Sequence, residues 1–569
     1  MSLFQADFVL LHAPSVYDFR KRAIMPGPIS DVIPSTPIFE MYPVGFSSIS
    51  EFLKRRGYTV RIVNLAYLML KDKDFDVEKC IRKLRPKAFG IDLHWLPHAH
   101  GSLEVARICK ALHQEIPVIL GGYSASYFHE ELMGYPQVDF VIRGDSTEEA
   151  VYKLLLSLNG KLPLSQVPNL TYREDGKVKV TPLTLVAQDL NESSNDYLGL
   201  FRSALRFLDM KGFTAIHDWW EYPITAVMTC RGCTQSCVIC GGSRQALLLY
   251  CGRERPAFRD PQLVVRDIAK INRYTEAPIF VVGDLRQGGN DYAHQILKGI
   301  REIRPENHIV LELFEPAPPH YLEEAARSIP NLNFEFSPES HDQEVREASG
   351  KFYTTQEMEE CIRVALDSGC KKLDIFFMIG MPKQTCRSVM ENVDYCDYLL
   401  RSFDKKVSPF ISPLAPFIDP GSIAYEHAER LGYRIFYHTL EEYRQALLAP
   451  SWKYTLSYET RWMTREEIVE STYQSALRVN QIKRNHGVIS EASFQAMDSR
   501  IKKTIKLISE IDQIVKEFQG EEREERLLRL KVSIEKEEIS TLCEQGEIKW
   551  PVGRKKIKYL NIINDLLFG

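Results

Sequence analysis

The chain is poor in the features that would place it outside the cell or in a membrane. It has 12 cysteines in 569 residues, too few for a disulfide scaffold and consistent with a reducing compartment. No uninterrupted apolar run is long enough to cross a bilayer, and the N-terminal stretch has no basic segment followed by a signal-peptide core. A cytoplasmic location is expected, with no membrane partner. Charge is nearly balanced, 72 Lys and Arg against 76 Asp and Glu, so no bulk field points to nucleic acid. Gly-x-Gly-x-x-Gly is absent, and with it the main requirement of a nicotinamide site. Internal repeats and low-complexity tracts are also missing. The length exceeds one core and suggests about three or four domains.

What is present is a cysteine loop: Cys233-Thr-Gln-Ser-Cys237-Val-Ile-Cys240. Three thiolates at this spacing can hold three corners of a cubane 4Fe-4S cluster, leaving the fourth iron open for chemistry rather than closed as in electron-transfer ferredoxins. The competing reading is a four-cysteine zinc knuckle built from Cys230-Arg-Gly-Cys233 and Cys237-Val-Ile-Cys240. Cys230 either ligates the fourth iron at rest or sits in the strand leading into the loop. Cys80, Cys109, Cys361, Cys370, Cys386, Cys396 and Cys543 lie in apolar or helical surroundings and read as small core hydrophobes.

Fold class reads as α/β. Residues 1–160 alternate apolar runs (Asp7–His12, Thr59–Asn64, Ala88–Leu93, Val118–Gly121, Phe140–Arg143) with helical patterns (Pro43–Arg56, Val77–Leu84, Ser102–His113 and a stretch near Glu130). That pattern predicts a doubly wound, Rossmann-like parallel sheet with ligands at the strand carboxyl ends. Polar and small residues gather at those ends: His12, Asp92, His94, Trp95 and Leu96, then Gly121, Gly122, Ser124 and Ser126, then Arg143 and Gly144. Residues 161–215 read as a linker. Residues 216–425 repeat strand then helix from about Tyr222, with strands Ile224–Thr229, Ile279–Val282, Val310–Phe314, Asn333–Phe336, Lys372–Met378 and Val407–Ser412. Six such units make a partial (β/α)6, TIM-like barrel, with functional residues on the loops after the strands. Asp284 and Arg286 either bind substrate or form a rim ion pair. Residues 426–569 read as a helical region, with an amphipathic pair over Ile501–Leu530. Its Trp452, Tyr454, Tyr458 and Trp462 are either core or a substrate entrance.

The Cys-x-x-x-Cys-x-x-Cys loop resembles that of the radical S-adenosylmethionine enzymes. Gly121-Gly122-Tyr-Ser124-Ala-Ser126 and Val138-Asp-Phe-Val-Ile-Arg143-Gly144-Asp resemble the cobalamin-binding domain attached to one class of them, the cobalamin-dependent methyltransferase subgroup. The resemblance implies three cofactors: a 4Fe-4S cluster on Cys233, Cys237 and Cys240, S-adenosylmethionine, and cobalamin as methylcobalamin. It implies S-adenosylmethionine contacts from Gly241, Gly242 and Ser243, from Glu312, from Glu339 and Ser340, and from Met378 and the Pro413-Leu-Ala-Pro416 loop. It also implies corrin contacts from the polar ends of the first sheet. Asp92-Leu-His94 keeps two members of a cobalt-ligating Asp-x-His-x-x-Gly motif but has Pro97 in place of glycine, so His94 reads either as a lower ligand or as a hydrogen-bonded structural residue. The implied chemistry is an adenosyl radical abstracting hydrogen from an unactivated sp3 carbon, followed by methyl transfer. An external electron donor such as ferredoxin or flavodoxin is implied too. Phe39-Glu-Met-Tyr-Pro-Val-Gly45 and the Asp92–Gly101 segment resemble a mostly archaeal subset, the glutamine C-methyltransferases of methyl-coenzyme M reductase. A peptide or protein substrate follows from that resemblance, with a small molecule as the alternative. Ring formation without net methylation, or a non-enzymatic metal-binding regulator, are the other readings.

Overall fold

The computed structural model describes residues 4–28, 36, 38–193, 196–209, 211–217, 219, 223–413, 417–536, 542–543, 545–548 and 557–568. Tyr222 and the 414–416 part of the expected cosubstrate loop lie outside the described residues.

The first sheet has seven strands in the order β2-β1-β3-β4-β5-β6-β7. They are β1 Phe8–His12, β2 Val60–Asn64, β3 Ala88–Asp92, β4 Val118–Gly121, β5 Phe140–Ile142, β6 Leu170–Glu174 and β7 Lys177–Val180. The first five are parallel. Their near-continuous apolar runs suit strands covered on both faces. Phe8, Leu10, Ile119 and Ile142 pack with Phe46 of α1 (Val44–Arg55) and with Val151. Val9, Leu11, Phe89 and Val118 face the other way, onto Leu103 and Ala106 of α2 (Ala99–Leu112). Each such side chain contributes about 1.5–3 kcal/mol of burial. Val151 belongs to α3 (Glu148–Leu158). The chain runs from β1 out to β2 and back across to β3, so a crevice opens at the carboxyl ends of β1 and β3.

Residues 161–215, expected as a linker, are partly built into this domain. The β6–β7 hairpin adds antiparallel to β5, and a helix follows over Tyr197–Phe207.

The second sheet carries six parallel strands: β8 Thr225–Met228, β9 Ile279–Val282, β10 Ile309–Leu313, β11 Leu332–Glu339, β12 Lys372–Ile379 and β13 Val407–Pro413. They lie in sequence order, as in a partial barrel. Side chains alternate: Val281, Leu311, Phe334 and Ile375 join the large outer core, whereas Phe280, Val310, Phe376 and Phe410 form a smaller cluster with Cys543. The register of β11 on β12 shifts between Phe336 and Glu339, and Glu339 has φ 67°. That irregularity sits at the carboxyl end, where site residues are placed.

The cysteine loop leads into α4 (Arg244–Cys251). Near the C-terminus, α5 (Arg465–Asn485) packs on β13 and on the helix Cys386–Phe403, and α6 (Glu491–Glu517) packs on α5. Trp452 and Tyr458 are buried, Trp452 donating to the Tyr473 hydroxyl at 2.9 Å. Tyr454 donates to Asp512 at 2.8 Å. These aromatics serve the core, not an open entrance.

Candidate active site

Cys233, Cys237 and Cys240 follow β8; the first two are half-buried and Cys240 is exposed. Backbone N–H groups already point at two of the sulfurs, Gln235 to Cys233 and Gly242 to Cys240, each at 3.3 Å. Such donors stabilise thiolate and tune a cluster. Burial pushes the Cys233 thiol up to about 11. Loading a metal must therefore displace protons. Cys230 is buried, donates toward Gly232 O at 3.9 Å and accepts from Gln287 Nε2 at 3.7 Å. A tetrahedral zinc ion would bring its sulfurs to about 3.8 Å of one another. Among the described residues, the only three His, Cys, Asp or Glu side chains with ligand atoms within 4.8 Å of one another are His12, Asp92 and His98. The four cysteines do not gather as a closed zinc site would.

At the end of β3, Asp92 accepts from His12 Nδ1 at 3.0 Å and from His94 Nδ1 at 2.6 Å. Burial disfavours the Asp92 carboxylate, but the His12 charge and the two imidazole bonds outweigh it and hold the pKa well below the usual range. Burial also disfavours the His12 imidazolium, and Asp92 reverses that and raises its pKa. His12 Nε2 is spent on Phe39 O at 2.9 Å. His94 differs: its Nδ1 is fixed by Asp92, and its side chain remains 29 % exposed on the wall of a cavity. His98 is buried and bonded to Ala13 O at 3.2 Å, and burial drives its pKa far down.

The cavity has a volume of about 260 Å³ and lies between the sheet and α1 and α3. Phe8, Leu10, Ile119 and Ile142 form its floor, and Gly121, Gly122, His94 and Asp145 its mouth. Gly122 has φ 119°, and a Cβ there would lie 2.4 Å from His94 Cα. Only glycine permits that approach. An apolar slot with a glycine mouth fits the nucleotide tail of a corrinoid. Ser126 ties the mouth together, donating to Gly122 O at 2.8 Å and accepting from Gly144 N at 2.9 Å.

Other expected contacts are used locally. Leu96 is fully buried in the first core and does not face the crevice, because a short 3-10 turn over Leu96–His98 swings it inward. Arg143 donates to Thr181 O, away from the cavity. Ser124 is buried. Gly241 N is spent on Asp419 at 3.1 Å, Gly242 N on Cys240, and the Ser243 hydroxyl caps α4. Glu312 accepts from Gly283 N. Glu339 pairs with buried Lys351 at 2.8 Å; desolvation raises the half-buried Cys237 thiol, and the Lys351 charge draws it only partly back down. Ser340 is buried and accepts from Asp342 N at 3.1 Å. Met378 and Pro413 are half-buried at the ends of β12 and β13. Arg286 and Asp284 form the rim ion pair, at 2.6 Å.

Single residues quoted along the sequence do not reveal the joint between the domains. Arg231 makes a bidentate pair with Glu148 of α3, at 2.6 and 2.9 Å, and both side chains are only 7 % exposed. Arg253 grips Asp145, with Nη2 to Oδ1 at 3.0 Å, and reaches Ser146 at 3.1 Å. Asp419 accepts from Trp95 Nε1 at 2.9 Å and from Gly241 N at 3.1 Å. The cysteine loop is thus tethered on both flanks to the loops after β3 and β5, bringing the carboxyl ends of the two sheets face to face.

The geometry defines a corrinoid-type sheet facing a cysteine-bearing partial barrel, and comparisons agree. The B12 binding domain family matches residues 32–152 and the Radical SAM superfamily matches residues 227–396. The chain therefore carries the two domains, B12-binding and radical S-adenosylmethionine, that together mark cobalamin-dependent radical S-adenosylmethionine enzymes. It is 25% identical over 252 residues to the anaerobic magnesium-protoporphyrin IX monomethyl ester cyclase of Synechocystis sp., covering 44% of this chain and 46% of that protein. It is 22% identical over 395 residues to the cytidylyl-2-hydroxyethylphosphonate methyltransferase of Streptomyces wedmorensis, covering 62% of this chain and 71% of that one. The chain thus spans about half the length of the first relative and more of the second. The fold is similar to that of the radical S-adenosylmethionine methyltransferase TsrM from Kitasatospora setae, with TM-score 0.58 and 14% identity, covering 86% and 90% of the two chains. Among the described residues no helix is long and apolar enough to cross a membrane.

Proposed function

We propose that the protein is a cobalamin-dependent radical S-adenosylmethionine methyltransferase that methylates an unactivated sp3 carbon. The observation that carries this reading is the double-flank tether, which holds the cysteine loop against the mouth of the first-domain cavity. When bound, the cluster with S-adenosylmethionine supplies the radical, and cobalamin supplies the methyl group.

The residues of this chain do the rest. Cys233, Cys237 and Cys240 would hold three irons, with the Gln235 and Gly242 N–H groups stabilising the sulfurs. Gly121, Gly122 and the apolar cavity would take the corrinoid, and His94 presents the imidazole nearest its mouth. The buried arginine–carboxylate pairs exclude water from the joint. Among the described residues Glu339 Oε2 is buried without a hydrogen-bond partner beside Cys237, a position suited to a polar group of the cosubstrate.

The resemblance of the Phe39–Gly45 and Asp92–Gly101 segments supports a peptide or protein substrate, specifically a glutamine of methyl-coenzyme M reductase. An external ferredoxin or flavodoxin would supply electrons. The likeness to a cyclase favours one second reading, ring closure without net methylation. Anaerobic incubation with a peptide spanning the glutamine, followed by mass spectrometry, tests both. A gain of one methylene unit supports methyl transfer. Loss of hydrogen without added carbon supports the cyclase reading, and unchanged peptide contradicts the peptide assignment.

A further inference from the structure

Two walls of the first-domain cavity come from outside that domain. Met228, at the end of β8, and Arg231, two residues before Cys233, both line it alongside Gly144, Asp145 and Thr147 of the loop after β5. The cavity is complete only when the barrel is docked. The same Arg231 is bonded at both guanidinium ends to Glu148, which also accepts from Ser48 at 2.5 Å.

The path from Arg231 to the cluster loop is short and stiff. The Arg231 backbone pairs with Ala257 in a small antiparallel ladder. Gly232 then turns with φ 101°, packed so tightly that a Cβ would meet Arg253 Cδ at 2.7 Å and Pro256 Cα at 2.9 Å. Arg253 in turn grips Asp145, with side chains 3 % and 1 % exposed. Downstream of Cys240, Gly241 N donates to Asp419, which also holds Trp95. Removing one partner from a buried charge pair leaves the other uncompensated, so this clamp resists partial opening.

We infer that occupancy of the cavity and loading of the cysteine loop are thermodynamically coupled through the Arg231–Glu148 and Arg253–Asp145 clamp. The inference rests on the cofactor assignment above. A group filling the cavity packs against Arg231 and Met228 and favours the docked arrangement, which also fixes the flanks of the three cysteines. A cluster on those cysteines favours the same arrangement and completes the cavity wall. Linkage requires the two effects to be equal in size.

The test uses the full chain and hydroxocobalamin, titrated by visible absorbance into anaerobic protein with the cluster reconstituted or stripped by chelator. The wild-type protein is expected to bind hydroxocobalamin about tenfold more tightly with the cluster present, within the usual range of coupling. Iron should be chelated correspondingly more slowly when hydroxocobalamin is bound. E148Q, which keeps the side-chain shape but removes the charge, is expected to bind both groups with the coupling reduced to near unity. Equal hydroxocobalamin affinity in the two wild-type forms would overturn the inference without any variant, and E148Q with undiminished coupling would overturn the role of the clamp. Independent binding of both groups leaves the proposed function standing. Failure to bind corrinoid or iron at all removes both.

Discussion

Trp95 and Asp419 are 324 residues apart, and the indole Nε1–H of one donates to the carboxylate of the other at 2.9 Å. Asp419 also receives the Gly241 N–H, next to the last loop cysteine. One carboxylate therefore joins the loop after β3 to the loop after β8. W95F would strand an acceptor in the joint, and a lost bond to a charged group costs about 1.5–3 kcal/mol. W95F and D419N should each lower the urea midpoint, and the double variant should cost less than the sum of the singles. Additive effects in that double-mutant cycle would show that the two side chains do not interact.

The cysteines should separate cleanly by role. C233A, C237A and C240A are each expected to lose most bound iron after anaerobic reconstitution. C230A should keep it, because the Cys230 thiol is turned toward Gly232 O and Gln287. Iron and sulfide assays decide this, and a C230A protein without iron would mean that the fourth thiol is a ligand after all.

Gly122→Ala places a methyl group against His94 Cα and forces alanine to φ 119°. Backbone strain of this kind costs about 1–3 kcal/mol. Hydroxocobalamin binding is expected to weaken at least tenfold while iron loading persists, and wild-type affinity in this variant would remove Gly122 from the corrinoid mouth.

The first domain should lose stability on mild acidification. His100 is held down to about 4 by burial, against 6.5 when free, and its Nδ1 accepts from Tyr17 N at 3.2 Å. Between those values the unfolded chain binds a proton that the native one refuses, so stability falls as pH drops from about 6.5 toward 4, by up to about 3 kcal/mol. H100N keeps an acceptor and cannot titrate. Urea midpoints at pH 7.5 and 5 should converge in H100N relative to wild type, and an unchanged pH response would assign the loss to other groups.

Much of the fold is legible in the chain. β4 and β9 have the bounds that their short apolar runs indicate. The β6–β7 hairpin is hidden because its outer strand, Lys177-Val-Lys-Val180, is wholly exposed and reads as solvated, although Asp175 and Gly176, both at positive φ, form its two-residue turn. Leu96 misleads by its nearness to His94, since the 3-10 turn that starts at Leu96 is packed into the core while His94 stays on the cavity wall. The clamp was illegible for a different reason. Arg231 and Glu148 are 83 residues apart, Arg253 and Asp145 are 108 apart, and neither pair leaves a local trace in composition or periodicity.

The central claim is an open-iron cluster facing a cobalamin site. Electron paramagnetic resonance of the anaerobically reconstituted, reduced protein, with and without S-adenosylmethionine, tests it most directly. The account predicts a 4Fe-4S signal that shifts when S-adenosylmethionine is added. A silent protein that retains zinc, or a cluster signal indifferent to S-adenosylmethionine, would contradict it.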